Sequence, residues 1–259
     1  MILLIFFGVF FLTLIVSAPI FFSLAISAIA LLWNKGMLVP QLVVQRMFAG
    51  VDSFPMMAIP FFMLAGSLMD TGGISTRLVR FSNYLVGWIA GGLAHVAIMA
   101  SVFFAGITGS AVADTTAIGS TLIPIMNRRG FPTLFSASVV AAAGVIGPII
   151  PPSIPMVIYG VMAGVSIGAM FLGGFVPGFL MGLGLMVMVY LKAKRHGYPC
   201  ETARPTVREF LQATGSAMGA IFMPLIILGG IFGGIFTATE AAVVATVYAF
   251  LMGKFVYRE

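Results

Sequence analysis

No charged side chain interrupts the sequence between Ser166 and Leu191. That run exceeds the roughly 20 apolar residues that carry a helix across a bilayer. Further predominantly apolar runs occupy residues 2–33, 54–68, 91–126, 133–163, 217–236 and 238–256. They leave the chain 61% hydrophobic and only 8% charged, where a soluble domain carries about 25% charged residues. A water-soluble fold of this length has too little polar surface to cover so much apolar side chain, whereas a lipid bilayer accepts it. The sequence therefore predicts an all-α polytopic integral membrane protein.

The remaining composition excludes several functions. The net charge of +6 is no nucleic-acid signal, because the basic residues sit in short loops between apolar runs, as positive-inside topology requires. Cys200 is the single cysteine, and His95 and His196 lie far apart, so neither an intramolecular disulfide nor a zinc site is expected. No Walker loop is present, and no serine–histidine, paired-aspartate or metal constellation suggests an intramembrane protease. The chain is not expected to be an enzyme or to carry an organic cofactor. The N-terminal run lacks a basic leader and reads as mature membrane helix. Pro19 divides it, predicting two short tilted helices or one kinked helix.

Two interruptions of the apolar pattern carry the functional signal. In the first, residues 106–116 read Gly-Ile-Thr-Gly-Ser-Ala-Val-Ala-Asp-Thr-Thr in the middle of run 91–126. Each flanking half is too short for an ordinary span, so two half-helices meeting at a polar tip predict a re-entrant hairpin. A helix broken at Thr108, Gly109 and Ser110 exposes carbonyls at one half's end and amides at the other half's start. Such ends suit Na⁺ and a carboxylate respectively. Asp114 is an ionisable residue inside the membrane, and three roles stand open for it: cation ligand, proton carrier, or cap of the second half-helix.

The second interruption is Gly147, Pro148, Ile149, Ile150, Pro151, Pro152 and Ser153, with Pro155 just beyond. Three prolines in five residues force an unwound stretch at bilayer depth, tolerated only where it is buried in protein or lines a cavity. Gly147, Pro148, Ile150, Pro151, Pro152 and Ser153 are the candidate site residues here, as Thr108, Gly109, Ser110 and Asp114 are at the tip.

Other segments read as structural. Residues 74–88 place Arg77 and Arg80 on one helical face and Leu78, Phe81 and Leu85 on another, predicting a helix on the membrane surface. Thr237 and Glu240 have capping-box spacing. Gly229-Gly230 and Gly233-Gly234 suggest close helix contacts. If 91–126 returns to its own side, then Arg77, Arg80, Arg128, Arg129, Lys192, Lys194, Arg195, Arg204, Arg208 and Arg258 share one face, the cytoplasmic one. If that segment crossed once, Arg77 and Arg80 would be separated from the others.

These stretches, in this order, resemble the large membrane subunit of TRAP transporters, the tripartite ATP-independent periplasmic family. The similarity runs through Asp52-Ser53-Phe54-Pro55, Ala58-Ile59-Pro60-Phe61-Phe62, Gly91-Gly92-Leu93-Ala94-His95, the tip 106–114, the break 147–155, Gly229-Gly230-Ile231 and 236–242. It implies a Na⁺-driven importer of a small organic anion, such as a C4-dicarboxylate or sialic acid. It also implies an elevator-type transport domain in a bacterial inner membrane. The implied partners are a small membrane subunit, a periplasmic substrate-binding protein and the lipid bilayer. On that reading residues 1–73 are scaffold helices and 74–90 an arm helix. Residues 91–191 are the transport domain, with hairpin 91–127, broken helix 133–163 and span 166–191. A cytoplasmic basic loop and amphipathic segment follow at 192–216, and two helices at 217–259 begin a second repeat. The family carries a second, inverted copy of this half, whose hairpin and break are not in the sequence. A channel-like pore and a non-transporting membrane scaffold are the competing readings.

Overall fold

A computed structural model describes residues 2–200 and 206–257, among which there is helix but no strand. Arg204 and Arg258 lie outside the described residues. The chain divides into two compact units, Met1–Ser53 and Phe54–Glu259.

In the first unit, α1 (Ile2–Ile15) and α2 (Ile20–Asn34) pack on each other, and α3 (Pro40–Val51) follows. The chain takes the two-helix form at Pro19, with Ser17 in the left-handed region (φ 62°) between the helices. The α2 hydroxyls turn back on their own helix, Ser27 Oγ donating to the Ser23 carbonyl at 2.6 Å. The third helix was not foreseen, because Gln41, Gln45 and Arg46 make 34–53 look like a polar connector. Pro40 starts it where a proline costs no hydrogen bond.

The second unit contains α4 (Ala58–Thr71), α5 (Ile74–Val86), α6 (Gly92–Thr108), α7 (Ala111–Arg128), α8 (Thr133–Gly144), α9 (Ile154–Ala163), α10 (Ile167–His196), α11 (Val207–Phe232) and α12 (Ala238–Leu251). Among the described residues four segments are long and apolar enough to cross a membrane: Phe54–Thr71, Ile167–His196, Val207–Phe232 and Ala238–Tyr257. Two expectations need correction. The loop expected within 192–216 is shorter and its amphipathic segment is part of a long helix, since α10 runs on to His196 and α11 starts at Val207. Lys194, Arg195 and His196 favour the negative end of α10, and a Thr206–Glu209 capping box starts α11. The amphipathic α5 does not reserve its apolar face for lipid. Ile74 and Leu78 are buried in the protein core, and Phe81 packs with Phe103 of α6 and Phe210 of α11.

Close approaches fix the directions of the helices. Gly91 lies against Ala193, and Gly182 against Val102, so α6 runs antiparallel to α10. Gly119 faces Val140 and Gly144 faces Thr115, so α7 runs antiparallel to α8. Thr239 Oγ1 donates to the Phe54 carbonyl at 2.9 Å, and Thr246 Oγ1 to the Phe61 carbonyl at 2.8 Å. Both partners advance seven residues between these bonds, so α4 and α12 run parallel.

These pairings gather one set of helix ends. The start of α6 meets the end of α10 at Gly91 and Ala193. The end of α7 and the start of α8 join it through the rings of Phe131, Phe135 and Tyr198. Tyr257 Oη donates to the Ser216 carbonyl at 3.1 Å, and the Arg77 guanidinium sits 4.0 Å over the Tyr257 ring. Arg128, Arg129, Lys192, Lys194 and Arg195 belong to the segments that meet at Gly91–Ala193 and Phe131–Tyr198. The capping box at Glu240 forms, its Oε2 accepting from the Thr237 amide at 2.7 Å. Gly230 takes the Phe236 ring against its backbone, but Gly233 and Gly234 form the turn between α11 and α12 instead of a helix contact.

Candidate functional site

The site begins where α6 stops. Thr108 ends the helix, and Gly109 follows in the left-handed conformation (φ 61°), its amide donating to the Ala105 carbonyl at 3.2 Å. This is a glycine C-cap of the usual kind. Ser110 is extended and restarts the chain as the N-cap of α7, accepting from the Ala113 amide at 3.4 Å. Helix, left-handed glycine and capping serine turn the chain back within two residues.

The proline segment builds a second broken point. After α8 ends at Gly144, the Ile149 and Ile150 amides both donate to the Ile146 carbonyl. The prolines offer no amide, and the Pro151–Pro152 peptide is cis. Ser153 then caps α9, accepting from the Met156 amide at 3.3 Å while donating to the Pro148 carbonyl at 2.5 Å. Ser110 and Ser153 thus play the same part, each starting the second half of an interrupted helix.

The two interruptions meet. A methyl group on Gly109 would stand 2.9 Å from Ser153 Cα and closer still to the Pro152 carbonyl. The hairpin tip therefore lies backbone to backbone against the proline break. Asp114 is fully buried behind the tip. Its Oδ1 accepts from Thr108 Oγ1. Its Oδ2 rests against Gly147 and has no hydrogen-bond partner among the described residues. Glycine at 147, as at 144 beneath Thr115, makes room for the first turn of α7.

The candidate residues do not all point the same way. Thr108, Gly109, Asp114, Gly147, Pro152 and Ser153 come together. Pro148 serves the junction through its carbonyl, engaged by Ser153. Ile150 turns away and packs on Gly178 of α10. The Pro151 carbonyl lies near Gly106.

In front of the tip is a cavity of about 500 Å³ between α4, α6, α7 and the start of α9. Thr108, Ser110, Thr116 and Ser120 line it from the hairpin, Gly66, Ser67 and Asp70 from α4, and Ile154 from α9. Asp114 does not line it. Asp70 is the one charged side chain in this lining, and its Oδ1 accepts from Ser75 Oγ. The cavity thus offers hydroxyls, one carboxylate and the electropositive start of α7, with no basic side chain. Among the described residues, no group of three or more His, Cys, Asp or Glu side chains could hold a metal. The local donors are hydroxyl and carbonyl oxygens, a set that fits a hard monovalent cation better than a transition metal.

Sequence reasoning missed Gly66, Ser67, Asp70, Thr116 and Ser120. The α7 members were legible in principle, because Ser110, Ala113, Thr116, Ala117 and Ser120 form a small, hydroxyl-bearing stripe at helical spacing. The α4 members were not, because Gly66 reaches the site only by packing on Thr108.

Comparison with known proteins identifies the family. A family model described as the tripartite ATP-independent periplasmic transporter, DctM component, matches residues 7–259. The isethionate TRAP transporter permease protein DctMQ of Oleidesulfovibrio alaskensis is 46% identical over 98% of this chain and 40% of its own. The C4-dicarboxylate TRAP transporter large permease protein DctM of Vibrio cholerae is 42% identical over 95% of this chain and 54% of its own. The 2,3-diketo-L-gulonate TRAP transporter large permease protein of Escherichia coli is 40% identical over 94% and 57% respectively. The chain spans about half the length of these relatives. This similarity over nearly all of its residues places the chain in the DctM family of TRAP transporter large permeases.

Proposed function

We propose that this chain supplies the first half of the transport pathway in a Na⁺-driven importer of a small organic acid in the bacterial inner membrane. A small membrane subunit and a periplasmic binding protein would be its partners. The observation that carries the reading is the contact of the Gly109 backbone with Pro152 and Ser153. Two interrupted helices meet there beside a cavity, and irregular backbone at membrane depth is tolerated where it lines a cavity or is buried in protein. On this reading Thr108 and Ser110 present oxygens to the cation at the hairpin tip. Ser153 and the carbonyls around it shape the facing wall. Asp114 acts from behind by fixing the Thr108 hydroxyl.

The direction of α4 relative to α12 supports a re-entrant hairpin. If the α8–α9 segment, α10 and α11 each cross once, α12 parallels α4 only when α6 and α7 together return to their starting side. A single crossing by α6 and α7 would make α4 and α12 antiparallel. An elevator movement of residues 91–191 belongs to the same proposal.

The test uses the full-length permease, reconstituted in vesicles with its small subunit and binding protein. Uptake of a labelled organic acid should rise on imposing an inward Na⁺ gradient and stay at background with K⁺. Uptake indifferent to Na⁺ would overturn the coupling. A large ohmic current without the binding protein would favour a pore instead.

A further inference from the structure

A second feature lies on another side of the same unit. Helices α8 and α10 stand slightly apart over α6, leaving an apolar groove. Its first part, about 240 Å³, is floored by Ile98 and Val139 and ends at Lys192. A second part of about 410 Å³ shares Ala142, Leu185 and Met188 with the first and continues to Met181 and Val145. From Lys192 to Met181 along α10 the groove measures about 16 Å, close to half the roughly 30 Å hydrocarbon thickness of a bilayer.

Charge divides the groove sharply. The Lys192 ammonium lies 5.6 Å from the Phe135 ring centroid at one mouth. Arg195 follows one turn later on α10. Arg128 and Arg129 close α7 just before Phe131, whose ring stacks on Phe135. Among the described residues no ion pair engages these four side chains, all of them exposed. Beyond Ser138 the groove walls are apolar. We infer that this groove is a binding site for one acyl chain of an anionic phospholipid of the inner leaflet, with its phosphate at Lys192. A groove one leaflet deep, apolar along its length and basic at its headgroup end, matches that molecule in both length and charge.

Gly184 provides a clean test, because nothing lies within 4 Å of a Cβ placed there. Gly184→Leu should fill the groove without disturbing the fold. The full-length permease would be reconstituted in vesicles of phosphatidylcholine with a tenth phosphatidylglycerol, carrying a photoactivatable phosphatidylglycerol probe, and crosslinks mapped by mass spectrometry. Crosslinks should concentrate on residues 135–145 and 181–192. Gly184→Leu should remove them, and Lys192→Ala should lower them about fivefold for phosphatidylglycerol, the effect of one basic residue near the surface, while sparing a phosphatidylcholine probe. Crosslinks spread evenly over the lipid-facing helices, or unchanged in both variants, would overturn the assignment. Protection of 135–145 and 181–192 by another polypeptide would overturn it equally.

Discussion

Thr108 and Asp114 form a buried pair across the hairpin tip, the threonine hydroxyl donating to Oδ1 while Oδ2 of the same carboxyl lies unpartnered against Gly147. A buried carboxyl is costly unless its oxygens are satisfied. Thr108→Val should therefore destabilise the protein by about 2 kcal/mol or more, since it leaves both oxygens without a hydroxyl. Thr108→Ser keeps the donor and should behave nearly as wild type. Because the two residues act together, Thr108→Val combined with Asp114→Leu should cost less than the sum of the single changes. Thermal unfolding in detergent of the wild type, Thr108→Val, Thr108→Ser, Asp114→Leu and the double variant checks this, and strict additivity would dissolve the pair.

The Gly109 position is constrained twice. A side chain there would sit at φ 61°, costing about 1–2 kcal/mol for a non-glycine residue, and would collide with the Pro152 carbonyl. Gly109→Ala should separate the tip from the proline break, lowering thermal stability by about 2–4 kcal/mol. Uptake should fall in the same variant. Gly173→Ala on α10, where the added methyl meets nothing within 4 Å, serves as the control. Normal stability and uptake in Gly109→Ala would show that the tip does not depend on this contact.

Much of this junction is legible in the sequence. Gly109 stands between a hydroxyl and a capping serine, and three prolines within 148–152 cannot continue a helix. Local chemistry alone therefore located both breaks. What local chemistry could not supply was partnership. Nothing in Gly66 or Ser67 announces that α4 walls the cavity, since that depends on Gly66 meeting Thr108. The face of α5 illustrates the same limit. Its amphipathic spacing fits a lipid surface and a protein surface equally well, and only the α6 and α11 packing decides between them. The reach of α11 back to Val207 was hidden because Arg208 and Glu209 depress the local hydropathy while a capping box holds the helix start.

The parallel clamp between α4 and α12 makes a separate prediction. Thr239 is buried and gives its hydroxyl to the Phe54 carbonyl alone, while Thr246 divides its hydroxyl between Phe61 and Ala242. Thr239→Val should cost about 1 kcal/mol, and Thr246→Val less, because its shared geometry is weaker for each acceptor. Two turns apart and with no common partner, the two changes should add within about 0.5 kcal/mol. Chemical denaturation in detergent would measure all three, and a larger effect at Thr246 than at Thr239 would contradict the hydrogen-bond assignment.

The direction of the hairpin is open to a direct measurement. The starts of α6 and α8 and the ends of α7 and α10 gather at one end, marked by Gly91 on Ala193 and by the Phe131–Tyr198 rings. The turn between α9 and α10 lies at the far end of α10, beyond the contact of Gly174 with Ile149. In the full-length permease with Cys200 and any further cysteine changed to serine, single cysteines would replace the exposed residues Arg80, Arg129 and Met162. Membrane-impermeant maleimide added outside spheroplasts should label the cysteine at 162 and spare those at 80 and 129. After the membranes are opened, all three should react. Labelling of 80 and 129 from opposite sides would mean that α6 and α7 together cross the bilayer. The tip would then no longer return to the side it came from, and the cation site proposed at Thr108 and Ser110 would lose its structural basis.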